Sequence, residues 1–289
     1  MSCHEMQIEG HKIVALSFNK ERATVPIIFI HGITASVNSW VIGQVPVFEK
    51  FPWLSLGLPG HYPATFPPDL HAKDLTAEMM ARILTTAIHK LVGEQPVILI
   101  GHSTGAFAAL SIAAHTPDIA RGVCSMAGFA RGKWTGALGI LQRLARFGSI
   151  GRAMFKASHK ILASSRAMYK NAFKLYAVDR RAIYSQPGLK AFINLNYPDR
   201  KHLDANAMLH YFERMPDIDI GHLLPRITAP TLLLAGDSDP IVPPAQSRLI
   251  AAKVPNSELV SFKGVGHLPA TERTREYHRI ITDWVEKIA

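Results

Sequence analysis

Val97-Ile98-Leu99-Ile100-Gly101-His102-Ser103-Thr104-Gly105-Ala106-Phe107-Ala108-Ala109-Leu110 decides the fold of this chain. The apolar run Val97 to Ile100 reads as a strand buried on both faces, and the small residues from Ala106 to Ala114 read as a helix. Between them the chain must turn sharply. Glycines at 101 and 105 fit because a Cβ at either place would crowd the strand–helix crossing. Ser103 sits at the tip of that turn, where a strained backbone would hold its hydroxyl clear of the sheet, the arrangement of a G-x-S-x-G nucleophile elbow.

Upstream of this segment, Lys12 to Phe18 alternates in part and reads as an antiparallel edge strand. Val25 to Ile30 is a continuous apolar run ending at His31-Gly32, and Trp53-Leu54-Ser55-Leu56 is a weaker strand candidate. Lys73 to Leu91 repeats apolar residues at Leu75, Met79, Ile83, Ala87 and Leu91, the signature of one helical face. Downstream, Gly122 to Ala127 is another short strand. From Phe129 to about Pro225 the strand rhythm stops and several helices are expected. Strands resume at Thr231 to Ala235 and Leu259 to Phe262, separated by a helix over Ala245 to Lys253, and Glu272 to Ile288 closes the chain as a helix. Strands alternating with helices predict an α/β fold with a mostly parallel, helix-covered sheet. The expected division is a core of residues 1–128 and 226–289 with a helical insertion at 129–225.

The composition, 48% hydrophobic and 19% charged over 289 residues, is that of an ordinary globular chain and excludes disorder. Two distant cysteines, Cys3 and Cys124, suggest no disulfide framework, and Met1 to Gly10 has no apolar core of a signal peptide. A cytoplasmic location is the expectation. The most membrane-like stretch, Val97 to Ala114, is interrupted by His102, Ser103 and the glycines, and reads as a buried strand and helix.

A serine hydroxyl is a weak nucleophile at neutral pH and needs a histidine base oriented by an acid. Gly236-Asp237-Ser238-Asp239-Pro240-Ile241-Val242-Pro243 places two carboxylates at the end of one strand, and Gly264-Val265-Gly266-His267 follows the next. Serine, acid, histidine is the chain order of a triad on this kind of sheet. As turn residues, Asp237 and Asp239 could equally precede Pro240 for backbone reasons, and most of the fourteen histidines must be structural. His31, His61 and His102 are read as shaping loops around the site.

From His31-Gly32 through the elbow to Gly266-His267, the chain resembles the α/β-hydrolases that carry a helical cap. The resemblance implies Ser103 as nucleophile and His267 as general base. The family pattern Gly-x-x-Asp-x-x-Val-Pro falls on Gly236, Asp239, Val242 and Pro243, which implies Asp239 as the acid with Asp237 as the fallback. An alternative acid position in the family falls on Gly128 and Phe129, where no acid stands. The oxyanion donors implied are the backbone N–H groups of Thr104, next after the serine, and Ile33. Gly57-Leu58-Pro59-Gly60-His61-Tyr62-Pro63-Ala64 departs from the Asp-x-x-Gly-His-Gly-x-Ser of many members, which sets this chain apart from the commonest esterases. Ser103 excludes the aspartate nucleophile of related dehalogenases and epoxide hydrolases. The chemistry calls for no cofactor and no metal.

The net charge of +10 is concentrated: from Arg131 to Lys190 there are thirteen lysines and arginines against one acid, Asp179. Solvated helices ordinarily mix both signs, so a cationic face for an anionic partner is expected. An acidic carrier protein bringing a thioester, a coenzyme A thioester, or an anionic membrane surface with peripheral attachment would fit. Nucleic acid is disfavoured, since no groove-reading or stacking module is visible. The expected function is hydrolysis of a carboxylic ester or thioester with an apolar acyl group. An acyltransferase using the same triad, or a non-catalytic lipid or pigment binder on the same fold, are the alternatives.

Overall fold

The computed structural model describes residues 1–43 and 45–289. Eight strands form one sheet in the order β1-β2-β4-β3-β5-β6-β7-β8. The hairpin β1 (Ser2–Ile8) and β2 (His11–Phe18) opens it, joined by Glu9 and Gly10, both at positive φ (49° and 78°), the pattern of a tight two-residue hairpin turn. β2 pairs antiparallel with β4 (Trp53–Leu56), and every further pairing is parallel, through β3 (Ile27–Ile30), β5 (Val97–His102), β6 (Ala120–Met126), β7 (Thr231–Gly236) and β8 (Ser257–Phe262).

Parallel strands are buried on both faces, which explains the unbroken apolar runs. Ile28, Ile30, Val97, Leu99 and Leu233 enter one core, while Ile27, Phe29, Ile98, Ile100, Leu232 and Leu234 enter the other. Helices α1 (Ala77–Val92) and α2 (Thr104–His115) cover the first. The second is closed largely by Tyr277, Ile281, Trp284, Val285 and Ile288 of the C-terminal helix.

Between β6 and β7 the chain forms α3 (Gly136–Arg146), α4 (Gly148–Leu162), α5 (Arg166–Ala172), α6 (Arg180–Tyr184), α7 (Leu189–His202) and α8 (Ala205–Arg214). Phe212 of α8 packs edge-on against Trp134 and against Phe155 of α4, and the Tyr211 hydroxyl donates to the Pro59 carbonyl at 2.8 Å, tying these helices to the loop after β4. α9 (Ala245–Lys253) joins β7 to β8, and α10 (Pro269–Glu272) and α11 (Thr274–Ile288) complete the chain.

Two expectations are corrected. Lys12 to Phe18 is not an edge strand, because Ser2–Ile8 pairs along its whole outer side. The closing helix does not run unbroken from Glu272, since Arg273 at φ −134° separates α10 from α11.

Candidate active site

Ser103 stands between β5 and α2 at φ 54°, ψ −116°, a backbone conformation costly for a residue with a Cβ. Its N–H donates to Met126 O (2.8 Å) on β6, and its carbonyl accepts the first bond of α2 from Phe107 N (3.0 Å), so neighbours on both sides hold the strain. The glycines are required by contact. A Cβ on Gly101 would lie 2.3 Å from Gly105 O, and one on Gly105 would lie 2.2 Å from Ile30 O. β5 can therefore turn into α2, and α2 can pass β3, only with hydrogen at these positions.

The turn after β3 passes against the serine, because a Cβ on Gly32 would come within 3.3 Å of the Ser103 Cβ. Ile33 follows, buried, and then Thr34 at φ 61°. Thr104 opens α2, so its N–H is one of the helix's unshared first-turn donors. Ile33 and Thr104 thus flank Ser103 from two different elements.

His267 follows β8, and its Nδ1 lies 2.7 Å from Asp239 Oδ2, both side chains almost completely buried. The other carboxylate oxygen of Asp239 accepts from Ile241 N (2.8 Å) and Val242 N (2.9 Å). With N–H donors on both oxygens, Asp239 acts as acceptor, and His267 meets it through Nδ1, which leaves Nε2 on the ring edge away from the acid. Asp237 lies apart from this pair. It is exposed, its Oδ1 accepts from Ser238 Oγ (2.8 Å) and Gly264 N (2.8 Å), and these bonds hold its carboxyl below the usual range. The structure joins His267 to Asp239 and assigns Asp237 to the turn.

Ser103 is linked to the pair through its neighbour. His102 Nε2 donates to the His267 carbonyl at 2.9 Å, and the two rings lie 5.0 Å apart. Burial presses the His102 pKa down to about 4, so this donor is a neutral ring. His31 is also neutral, lowered to about 4 by burial. Its Nδ1 lies 2.9 Å from Gly32 O while its Nε2 accepts from Leu58 N (3.1 Å), which requires an unprotonated nitrogen. His61, 5.2 Å from His31 ring to ring, packs edge-on to Tyr211.

Two further residues, neither given a role at the site by the sequence, contact the His267 loop. Glu272 is buried and accepts four backbone N–H groups: Gly266 (3.0 Å) and Leu268 (3.3 Å) on one oxygen, Val178 (2.9 Å) and Asp179 (2.8 Å) on the other. Tyr176 accepts the N–H of His267 on its carbonyl at 2.8 Å, and its ring lies 6.0 Å from the His267 ring. An acid five positions after a candidate histidine is a weak signal, and only the fold brings residues 176–179 to it. Ser103 and His267 are 2% and 1% exposed, so both side chains are covered. Among the described residues no cluster of three or more His, Cys, Asp or Glu is placed to hold a metal ion, and no helix is long and apolar enough to cross a membrane.

Comparison with known proteins gives a consistent outcome. Residues 25–274 match the family model described as alpha/beta hydrolase fold. A pimeloyl-[acyl-carrier protein] methyl ester esterase of Neisseria meningitidis serogroup C is 26% identical over 279 residues, covering 93% of this chain and 98% of that protein. An enol-lactonase from Burkholderia xenovorans LB400 superposes with a TM-score of 0.76 at 16% identity, over 98% of this chain and all of that one. A thermophilic esterase from Thermogutta terrifontis does so with a TM-score of 0.71 at 20% identity, over 100% of this chain and 99% of that one. Those two structures speak to the fold alone. With a match that spans both ends of the parallel sheet and the whole run of helices between them, the chain belongs to the α/β-hydrolase fold family.

Proposed function

We propose that this chain hydrolyses a carboxylic ester through an acyl-enzyme, with Ser103 as nucleophile, His267 as general base and Asp239 as the acid that orients it. The observation that carries this reading is the buried 2.7 Å bond between His267 Nδ1 and Asp239 Oδ2, at the same sheet edge where Ser103 is held at positive φ. Nε2 of His267 takes the hydroxyl proton as Ser103 Oγ bonds to the ester carbonyl carbon, and the carbonyl electron pair moves onto oxygen. The N–H groups of Ile33 and Thr104 receive that oxyanion, each worth about 3 kcal/mol to the barrier in comparable sites. Collapse breaks the bond to the leaving alcohol, which takes the proton from His267. Water then repeats the sequence, releasing the carboxylic acid and restoring Ser103.

Residues 129–225 act in this reading as a cap over the site, which must move to admit substrate. The Neisseria relatives are named for a methyl ester on an acyl group held by acyl-carrier protein. An acidic carrier presenting an acyl chain is therefore the delivery partner we assign to the basic helices.

Labelling by a fluorophosphonate probe tests the assignment. The chain should be labelled at Ser103, and Ser103→Ala should lose labelling together with at least ~10³-fold of its ester turnover while keeping its melting temperature. An unlabelled chain that is inert toward p-nitrophenyl esters and acyl thioesters of graded length would make it a binder instead.

A further inference from the structure

The geometry points to Glu272 as a positioning residue that latches the segment 176–179 to the His267 loop, so that covering the site and seating the base are one event. This rests on His267 being the base. Three consecutive N–H groups of that loop are bonded to groups outside it: Gly266 and Leu268 to Glu272 Oε1, and His267 to the Tyr176 carbonyl. The other oxygen of the same carboxylate takes the N–H groups of Val178 and Asp179. One buried side chain is therefore the shared acceptor of two chain segments more than eighty residues apart. The approach leaves no slack, since a Cβ on Gly266 would lie 2.6 Å from Tyr176 O and 2.9 Å from Val178 N.

The same short segment also reaches the imidazole, since the Tyr176 ring lies 6.0 Å from the His267 ring. Lifting residues 176–179 would thus strip an acceptor from His267 N and a neighbouring ring from its side chain. A carboxylate that must bridge four N–H groups cannot be replaced by a neutral isostere without loss: a glutamine has one acceptor oxygen, and its NH₂ would oppose the donors on the other side. A second tie nearby provides a control. Gln186 Nε2 donates to Thr271 O and Thr274 Oγ1, both at 3.0 Å, fastening the cap to α10 and α11 without touching the His267 loop.

The test compares the full chain with Glu272→Gln, Glu272→Ala and Gln186→Ala by amide hydrogen exchange and by kinetics on a small neutral ester. For both Glu272 variants, the amides of Gly266, His267, Leu268, Val178 and Asp179 should lose protection together. Their kcat should fall about 10- to 100-fold, with KM changing far less, because the base is displaced and not the substrate contacts. Gln186→Ala should speed exchange near 186 and leave kcat at the wild-type level. Unchanged kcat in Glu272→Gln, or exchange that rises at 178–179 while 266–268 stays protected, would overturn the latch. The exchange arm needs no substrate. If the wild-type chain turned over no ester, the hydrolase reading would fall and coupled exchange would still decide whether the two segments are latched.

Discussion

Burial fixes the charge state of His31 and His102, and with it a pH dependence. His31 and His102 are lowered to about 4 by burial, against about 6.5 in an unfolded chain. Between these values the unfolded state binds the protons and the folded state does not, so stability falls as pH drops from about 6.5 toward 4 and is unaffected above 7. Each site contributes at most about 3 kcal/mol to that loss. Thermal melts should show a melting temperature flat above pH 7 and falling through this window. In His31→Gln the fall should be shallower, since an amide can donate to Gly32 O or accept from Leu58 N without titrating. A slope unchanged by this substitution would assign the acid sensitivity elsewhere. It is their environment, not their spacing in the chain, that makes these rings neutral, and environment is not visible in a sequence.

At the scale of elements, the helices between β6 and β7 are held to the rest of the fold by polar anchors as well as by apolar packing. One is the 2.8 Å bond from the buried Tyr211 hydroxyl of α8 to Pro59 O in the loop after β4. Tyr211→Phe should cost about 1 kcal/mol, the net worth of one buried neutral hydrogen bond, read as a drop in the denaturation midpoint with an unchanged slope. A larger loss would show that the hydroxyl also orders the surrounding loop. Strands β3, β5 and β7 could be read from sequence because each is apolar on both faces, and the elbow because Gly101 and Gly105 bracket Ser103 so closely. β1 escaped, since it is an outermost strand whose solvent face carries Cys3, Glu5 and Gln7 and which has no apolar run. The family resemblance prefers Asp239 to Asp237, and the two carboxylates differ physically: one is buried against an imidazole while the other accepts N–H and O–H bonds in an exposed turn. Glu272 and Tyr176 could not be found this way, because their partners are distant in sequence and are mostly backbone groups.

Across the whole molecule, the cationic segment is short of counter-ions. Arg131, Arg146 and Arg152 pair with Asp219, Asp217 and Glu213, all outside the segment. Arg143, Lys156 and Lys160 have no carboxylate within 4.0 Å among the described residues. On α4, Gly151, Phe155 and His159 form the inward seam. Phe147, Ile150, Met154 and Ile161 stand 54 to 73% exposed in a helical stripe on one flank, with Arg152, Lys156 and Lys160 on the other. An acidic partner with apolar contacts matches both flanks, and electrostatic attraction would act on its rate of encounter. Surface attraction is screened over about 10 Å at 0.1 M salt, whereas a small neutral ester feels none of it. The kcat/KM for an acyl ester on an acidic carrier protein should therefore fall with ionic strength while that for the free methyl ester stays level. Lys156→Glu with Lys160→Glu should lower the carrier-bound value about tenfold at low salt, and the gap from wild type should close as salt rises. Equal salt dependence of the two substrates would remove the basic surface from substrate delivery and leave the active-site chemistry untouched.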